Sequence, residues 1–284
     1  MRARKPPGHH RSKGFSLVEL AVVMTIVALL LGGLIYTLSA QTEQRNFEET
    51  RRRLEQAREL LLAFAITNGR LPCPARSAAT AAPVTVAGDE VVTTATGCIG
   101  DAVTDYYGGI NAGVTLGLLP ARSIGFPQVD PAGFAVDAWG NRIRYAVANL
   151  TTPAGPCPTP HFVNSTNLKA NGISCQPNDL LICKSSTGIS GFNCGGAANQ
   201  IMTTSLVVAI VYSTGKNFAS AQDAATATAL GRTDEAANLN GDRIFVYHAP
   251  TTSDAASGGE FDDQFLWITT GEFYGKLIAA GVLP

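Results

Sequence analysis

Histidine is scarce in this chain: there are four in 284 residues, and His9 and His10 lie near the N-terminus, leaving only His161 and His248 for the body of the protein. Neither stands in a nucleophile or metal-ligand motif, which argues against an enzyme built on histidine. The six cysteines include no Cys-x-x-Cys, which argues against zinc. Thr214-Gly215-Lys216 is no phosphate loop, because Ile210 stands where the upstream glycine belongs and Asn217 where Ser or Thr would bind magnesium. Positive charge is short as well. Without Arg2, Arg4, Lys5, Arg11 and Lys13, 16 of the 21 Lys and Arg remain against 22 Asp and Glu, so no nucleic-acid partner is expected.

What the first 40 residues lack is more telling. The five cations before Gly14 have no acid among them, and Leu20 to Leu38 carries no charge at all. At a rise of about 1.5 Å per residue that run reaches roughly 28 Å, enough to span a bilayer. The cationic flank places the N-terminus in the cytoplasm and sends the remainder outward. Glu19 breaks the apolar stretch, and a carboxylate at such a depth costs about 2.5–3.5 kcal/mol, so the reading requires a partner for it. A secretory signal peptide cut at Leu38-Ser39-Ala40 is the plainer alternative; Leu38 fits such a site poorly, and the apolar run is long for one. An uncleaved anchor is a second, but it accounts for neither the Gly-Phe junction nor Glu19.

Gly14-Phe15-Ser16-Leu17-Val18-Glu19 resembles the processing signal of type IV pilins and type II secretion pseudopilins. The resemblance covers about forty residues. It implies a structural subunit, cut by prepilin peptidase between Gly14 and Phe15, N-methylated at Phe15, and assembled with other pilin or pseudopilin subunits by an inner-membrane platform. Glu19 would be the assembly carboxylate, meeting the amine of a neighbouring subunit; opposite charges about 4 Å apart attract by several kcal/mol at intermediate dielectric. The resemblance implies no catalytic residues.

From Gln41 to Asn68 there is neither Gly nor Pro, and Phe47, Leu54, Ala57, Leu61 and Phe64 form one helical stripe. Glu48 with Arg52 and Glu49 with Arg53 are helix-supporting pairs. The expected organisation is therefore a basic leader over 1–14, a membrane and assembly helix over 15–40, its amphipathic continuation over 41–68 and an exported domain over 69–284. Strands are expected at 143–147 with one wet face, at 206–212, at 244–247 and at 265–268. Thr269-x-x-Glu272 reads as a capping box opening a last helix, with Phe273, Leu277 and Ala280 on one face and Gly281 ending it. The fold class is α+β, a long N-terminal helix on an antiparallel sheet, pilin-like given the resemblance.

All six cysteines fall in the exported domain, where disulfides are expected. Six allow fifteen connectivities. Proximity favours Cys73 with Cys98, Cys157 with Cys175 and Cys183 with Cys194 without excluding the others.

Two more segments extend the resemblance. Asp137-Ala138-Trp139-Gly140-Asn141 is similar to the Asp-Pro-Trp-Gly stretch of major pseudopilins, with alanine for proline, and Tyr212 to Asn217 resembles the segment before their calcium loop, without the acid expected after its glycine. The long loop that follows holds Asp234, Glu235, Asn238, Asn240 and Asp242, oxygen donors suited to Ca²⁺; Asn240-Gly241-Asp242 also reads as a tight turn. Asp262-Asp263 reads as a polar turn before a strand. The size of the domain and its long loops favour a minor or tip subunit, and the alternative from another class is an adhesin-like binding module mounted on a pilin helix.

Overall fold

The computed structural model describes residue 14 and residues 16–77, 86–93, 97–98, 106–111, 114–149, 157–253 and 256–283, except for the side chains at 31–39, 92–93 and 110–111. Phe15 and the leader before Gly14 lie outside the described residues. The chain forms two compact units, divided between Asn46 and Phe47.

Helix α1 runs from Leu17 to Asn68. In the first unit its apolar side chains lie open, from Leu17 at 87 % exposure to Val27 at 42 %. Among the described residues no helix is long and apolar enough to cross a membrane, and side chains 31–38 of the span expected over Leu20–Leu38 are outside that set.

In the second unit the amphipathic stripe is satisfied. Leu54, Ala57, Leu61, Leu62 and Ala65 are buried in one core with the sheet, because a stripe repeating every three to four residues needs a flat apolar partner. That partner is an antiparallel sheet ordered β10-β8-β5, formed by β5 (Arg144–Val147), β8 (Val207–Ser213) and β10 (Gln264–Thr269). The central strand β8 is buried at all seven positions, as its unbroken apolar run requires. Strand β5 has no wet face: Arg144 and Ala146 are buried as fully as Tyr145 and Val147, since the Arg144 guanidinium lies over the Phe218 ring at 5.6 Å. Leu206 falls before β8 and is exposed.

A second, mixed sheet joins β7 (Gln200–Met202), β6 (Leu181–Cys183) and β9 (Ile244–Val246), with β6 and β9 parallel. Among the described residues two small antiparallel pairs stand beside these sheets, β1 (Val92–Thr93) with β2 (Gly97–Cys98) and β3 (Gly109–Asn111) with β4 (Val114–Leu116). Of the short helices α2 (Ala121–Ile124), α3 (Ser165–Asn171), α4 (Ala224–Ala229) and α5 (Thr233–Leu239), the last two lie where the sequence reads as loop. Helix α6 (Thr270–Ala279) opens with the Thr269 hydroxyl accepting the Glu272 amide at 3.3 Å; Phe273, Tyr274 and Leu277 are buried while Ala280 is exposed. Three disulfides close local loops, Cys73–Cys98, Cys157–Cys175 and Cys183–Cys194.

Candidate functional site

Three constellations bring chemistry-bearing residues together. The first is at the start of α1. Gly14 is exposed with nothing within 4 Å of where a Cβ would stand. Ser16 and Glu19 form a capping box: the Ser16 hydroxyl accepts the Glu19 amide at 3.2 Å, and the Ser16 amide donates to Glu19 Oε2 at 3.4 Å. The Glu19 carboxylate thus has a local partner, and it also sits at the positive end of the helix dipole. The signal was present as Ser16-x-x-Glu19, the pattern recognised at Thr269.

The second constellation fastens α1 to the sheet through Asp137. Asp137 Oδ1 accepts the amides of Trp139 and Asn141 at 2.9 and 2.8 Å, and Oδ2 accepts the Ser213 hydroxyl at 2.6 Å, so the two segments resembling pseudopilins meet. Burial pushes the Asp137 carboxyl up, against these hydrogen bonds. From the helix side, Arg53 Nη1 donates to the carbonyls of Val136 and Asp137 at 3.0 and 2.7 Å, and Phe47 meets the Trp139 ring edge-on at 4.9 Å. The Ala138 amide donates to Thr50 Oγ1 at 3.1 Å. A proline there would have no proton to give, so alanine at this position has a physical reason.

The third is a buried carboxylate cluster. Glu235 on α5 and Asp262 and Asp263 before β10 each offer an oxygen within 4.8 Å of the others. Glu235 Oε1 accepts Asn217 Nδ2 at 2.7 Å and the Asp262 amide at 3.1 Å; Asp262 Oδ2 accepts the amides of Lys216 and Asn217 at 3.0 and 3.1 Å; Asp263 Oδ2 accepts Asn238 Nδ2 at 2.7 Å. Gly215, at φ 66, lets the backbone pass against the Asp262 side chain where any Cβ would collide with it. Burial pushes Asp262 up to about 6 and raises Glu235 and Asp263; the Asp262 charge adds to the rise at Glu235, and the Glu235 and Asp262 charges add to it at Asp263. Asp262-Asp263 is therefore no solvated turn.

The loop donors named from sequence do not converge. Asp234 Oδ1 accepts the Ser186 amide at 2.6 Å and Oδ2 faces His248 Nε2 at 3.1 Å; Asn240 and Asp242 bond to each other; only Glu235 and Asn238 reach the cluster. Three carboxylates, with Asp262 Oδ1 buried and unbonded, have the hard-oxygen chemistry of a Ca²⁺ site, with Asp262 and Asp263 in place of Asp234, Asn240 and Asp242. His248 has no catalytic posture, because its Nδ1 faces the Ala249 carbonyl at 2.7 Å and its other nitrogen faces Asp234, leaving no ring nitrogen for a hydroxyl. His161 is buried, with Nε2 3.1 Å from the Tyr274 hydroxyl, and burial pushes it down to about 4.

Residues 9–35 match the family model described as the prokaryotic N-terminal methylation motif, the signature of type IV pilins and pseudopilins. That family is structural, and the motif implies processing by prepilin peptidase and assembly with other pilin subunits. No curated protein and no solved structure matches the chain.

Proposed function

We propose that the chain is a structural subunit of a type IV pilus or a type II secretion pseudopilus. Prepilin peptidase cuts between Gly14 and Phe15 and methylates Phe15. Leu20 to Leu38 lies in the inner membrane, with the N-terminus cytoplasmic and the domain periplasmic, until the assembly platform moves the subunit into a filament. The observation that carries this reading is the coincidence of the methylation motif at 9–35 with an arm whose apolar side chains are uncovered. Ten large apolar residues between Leu17 and Leu30 are exposed, and such a surface calls for lipid or neighbouring helices. The capping box keeps the Glu19 carboxylate at the first turn, facing the end where the new amine of Phe15 is created. Glu235, Asp262 and Asp263 would be the ligands of a Ca²⁺ ion, which would offset their mutual repulsion.

Intact-mass and N-terminal peptide spectrometry of the membrane-extracted protein tests the processing. The expected species begins at methylated Phe15; a mature chain starting at Met1 or at Gln41 overturns it. Glu19→Ala should be processed normally yet be missing from sheared filaments.

A further inference from the structure

The chain has three Asn-Gly steps, Asn68-Gly69, Asn171-Gly172 and Asn240-Gly241. Asparagine is a thermolabile residue, and glycine after it leaves the backbone nitrogen unhindered, so that nitrogen can reach the preceding carboxamide carbon. The reaction needs a glycine amide that is not held elsewhere.

Two of the steps are locked. The Gly69 amide donates to the Ala65 carbonyl at 2.8 Å while Asn68 Nδ2 donates to Phe64 O at 3.0 Å. The Gly172 amide donates to Leu168 O, and Asn171 Nδ2 to Asn167 O at 2.9 Å. Both helix ends must open before either glycine can react. The third step differs. Asn240 is exposed at the end of α5, and among the described residues the Gly241 amide meets no acceptor. Asn240 Oδ1 accepts the Asp242 amide at 2.9 Å, an Asx turn that folds the carboxamide over the Gly241 peptide and polarises its carbonyl. The departing atom, Nδ2, donates to Asp242 Oδ2 at 2.8 Å.

We propose that Asn240 is a site of spontaneous deamidation. The Gly241 nitrogen bonds to Asn240 Cγ, closing a succinimide, as the Cγ–Nδ2 bond breaks; the proton lost from the Gly241 amide is balanced by the one gained as Nδ2 departs as ammonia. Water then opens one of the two ring carbonyls, giving aspartate or isoaspartate. No oxidant or reductant takes part. The product carboxylate faces Asp242 where an N–H had donated, so attraction becomes repulsion. The isoaspartyl form also adds a methylene to a corner that has no space: Gly241 is buried against Gly108 and Gly109, and a Cβ on it would stand 2.6 Å from the Gly108 carbonyl. That corner joins α5 to β9, so ageing at Asn240 strains the helix that carries Glu235 and Asn238.

The test is incubation of the full chain in detergent at mildly alkaline pH, folded and in urea, with peptide mass spectrometry and isoaspartate-specific methyl labelling. In urea the three steps should convert at similar rates. In the folded protein Asn240 should stay within about threefold of its urea rate while Asn68 and Asn171 slow roughly tenfold or more. Asn240→Gln, which would have to close a larger ring, should abolish the label at that peptide and preserve the melting temperature through the incubation. Folded-state conversion of Asn68 or Asn171 as fast as Asn240, or no conversion at Asn240, overturns the proposal.

Discussion

The arm before Asn46 and the body after Phe47 handle polarity in opposite ways. Between Leu17 and Leu30 apolar side chains face outward and the single charge, Glu19, is tied to Ser16 three residues away. In the body, Asp137, Glu235, Asp262 and Asp263 are buried and bonded to partners remote in sequence, from Asn217, 18 positions before Glu235, to Ser213, 76 positions after Asp137. Local bonds let a segment keep its form without a tertiary environment, whereas distant bonds make form conditional on the whole fold. The arm can therefore exchange one apolar environment for another while the body stays as it is.

The sharpest way to break this contrast is a matched pair of truncations. Leu61→Ala should cost the body about 2–5 kcal/mol, seen as a large drop in melting temperature, while Ile26→Ala leaves that temperature unchanged. Asp137→Ala comes next, at roughly 2–4 kcal/mol, because it strands two amides and the Ser213 hydroxyl; chemical denaturation with the linear extrapolation gives the number.

Titration separates the buried groups. The cluster carboxyls have raised affinities for protons in the fold, so their contribution is complete in acid and is lost as pH rises through about 6 and beyond. His161, lowered to about 4, works oppositely: its contribution holds above about 6.5 and is lost as pH falls towards 4. In Ca²⁺-free buffer Asp263→Asn keeps an acceptor for Asn238 and removes a charge, so it should raise the melting temperature above pH 7 and flatten the alkaline slope; a steeper slope refutes the assignment. Smallest is Ser16→Ala, about 1 kcal/mol of helix-start stability, visible as fraying by hydrogen exchange at the first turn and nowhere in the body.

Periodicity made the second half of α1 legible, an unbroken valine- and isoleucine-rich run marked β8, and a capping box marked α6. Elements of three residues such as β6, and its parallel pairing with β9, leave no periodic trace. Arg144 reads as a wet-face residue because alternation cannot register that Phe218, 74 positions on, will lie beneath its guanidinium. Asp262 and Asp263 read as turn residues for the same reason: their burial depends on Lys216, Asn217 and Asn238, which only the folded chain brings near. The oxygen donors that stand out in the sequence lie on one loop, whereas the carboxylates that gather come from two separate segments.

The three disulfides neither nest nor overlap, since each ring closes before the next begins, across separations of 25, 18 and 11 residues. A polypeptide threaded outward from its N-terminal side would present the six thiols in that sequence. Linking every second thiol to its immediate predecessor would yield this set directly, with no bridge that has to wait for a later one.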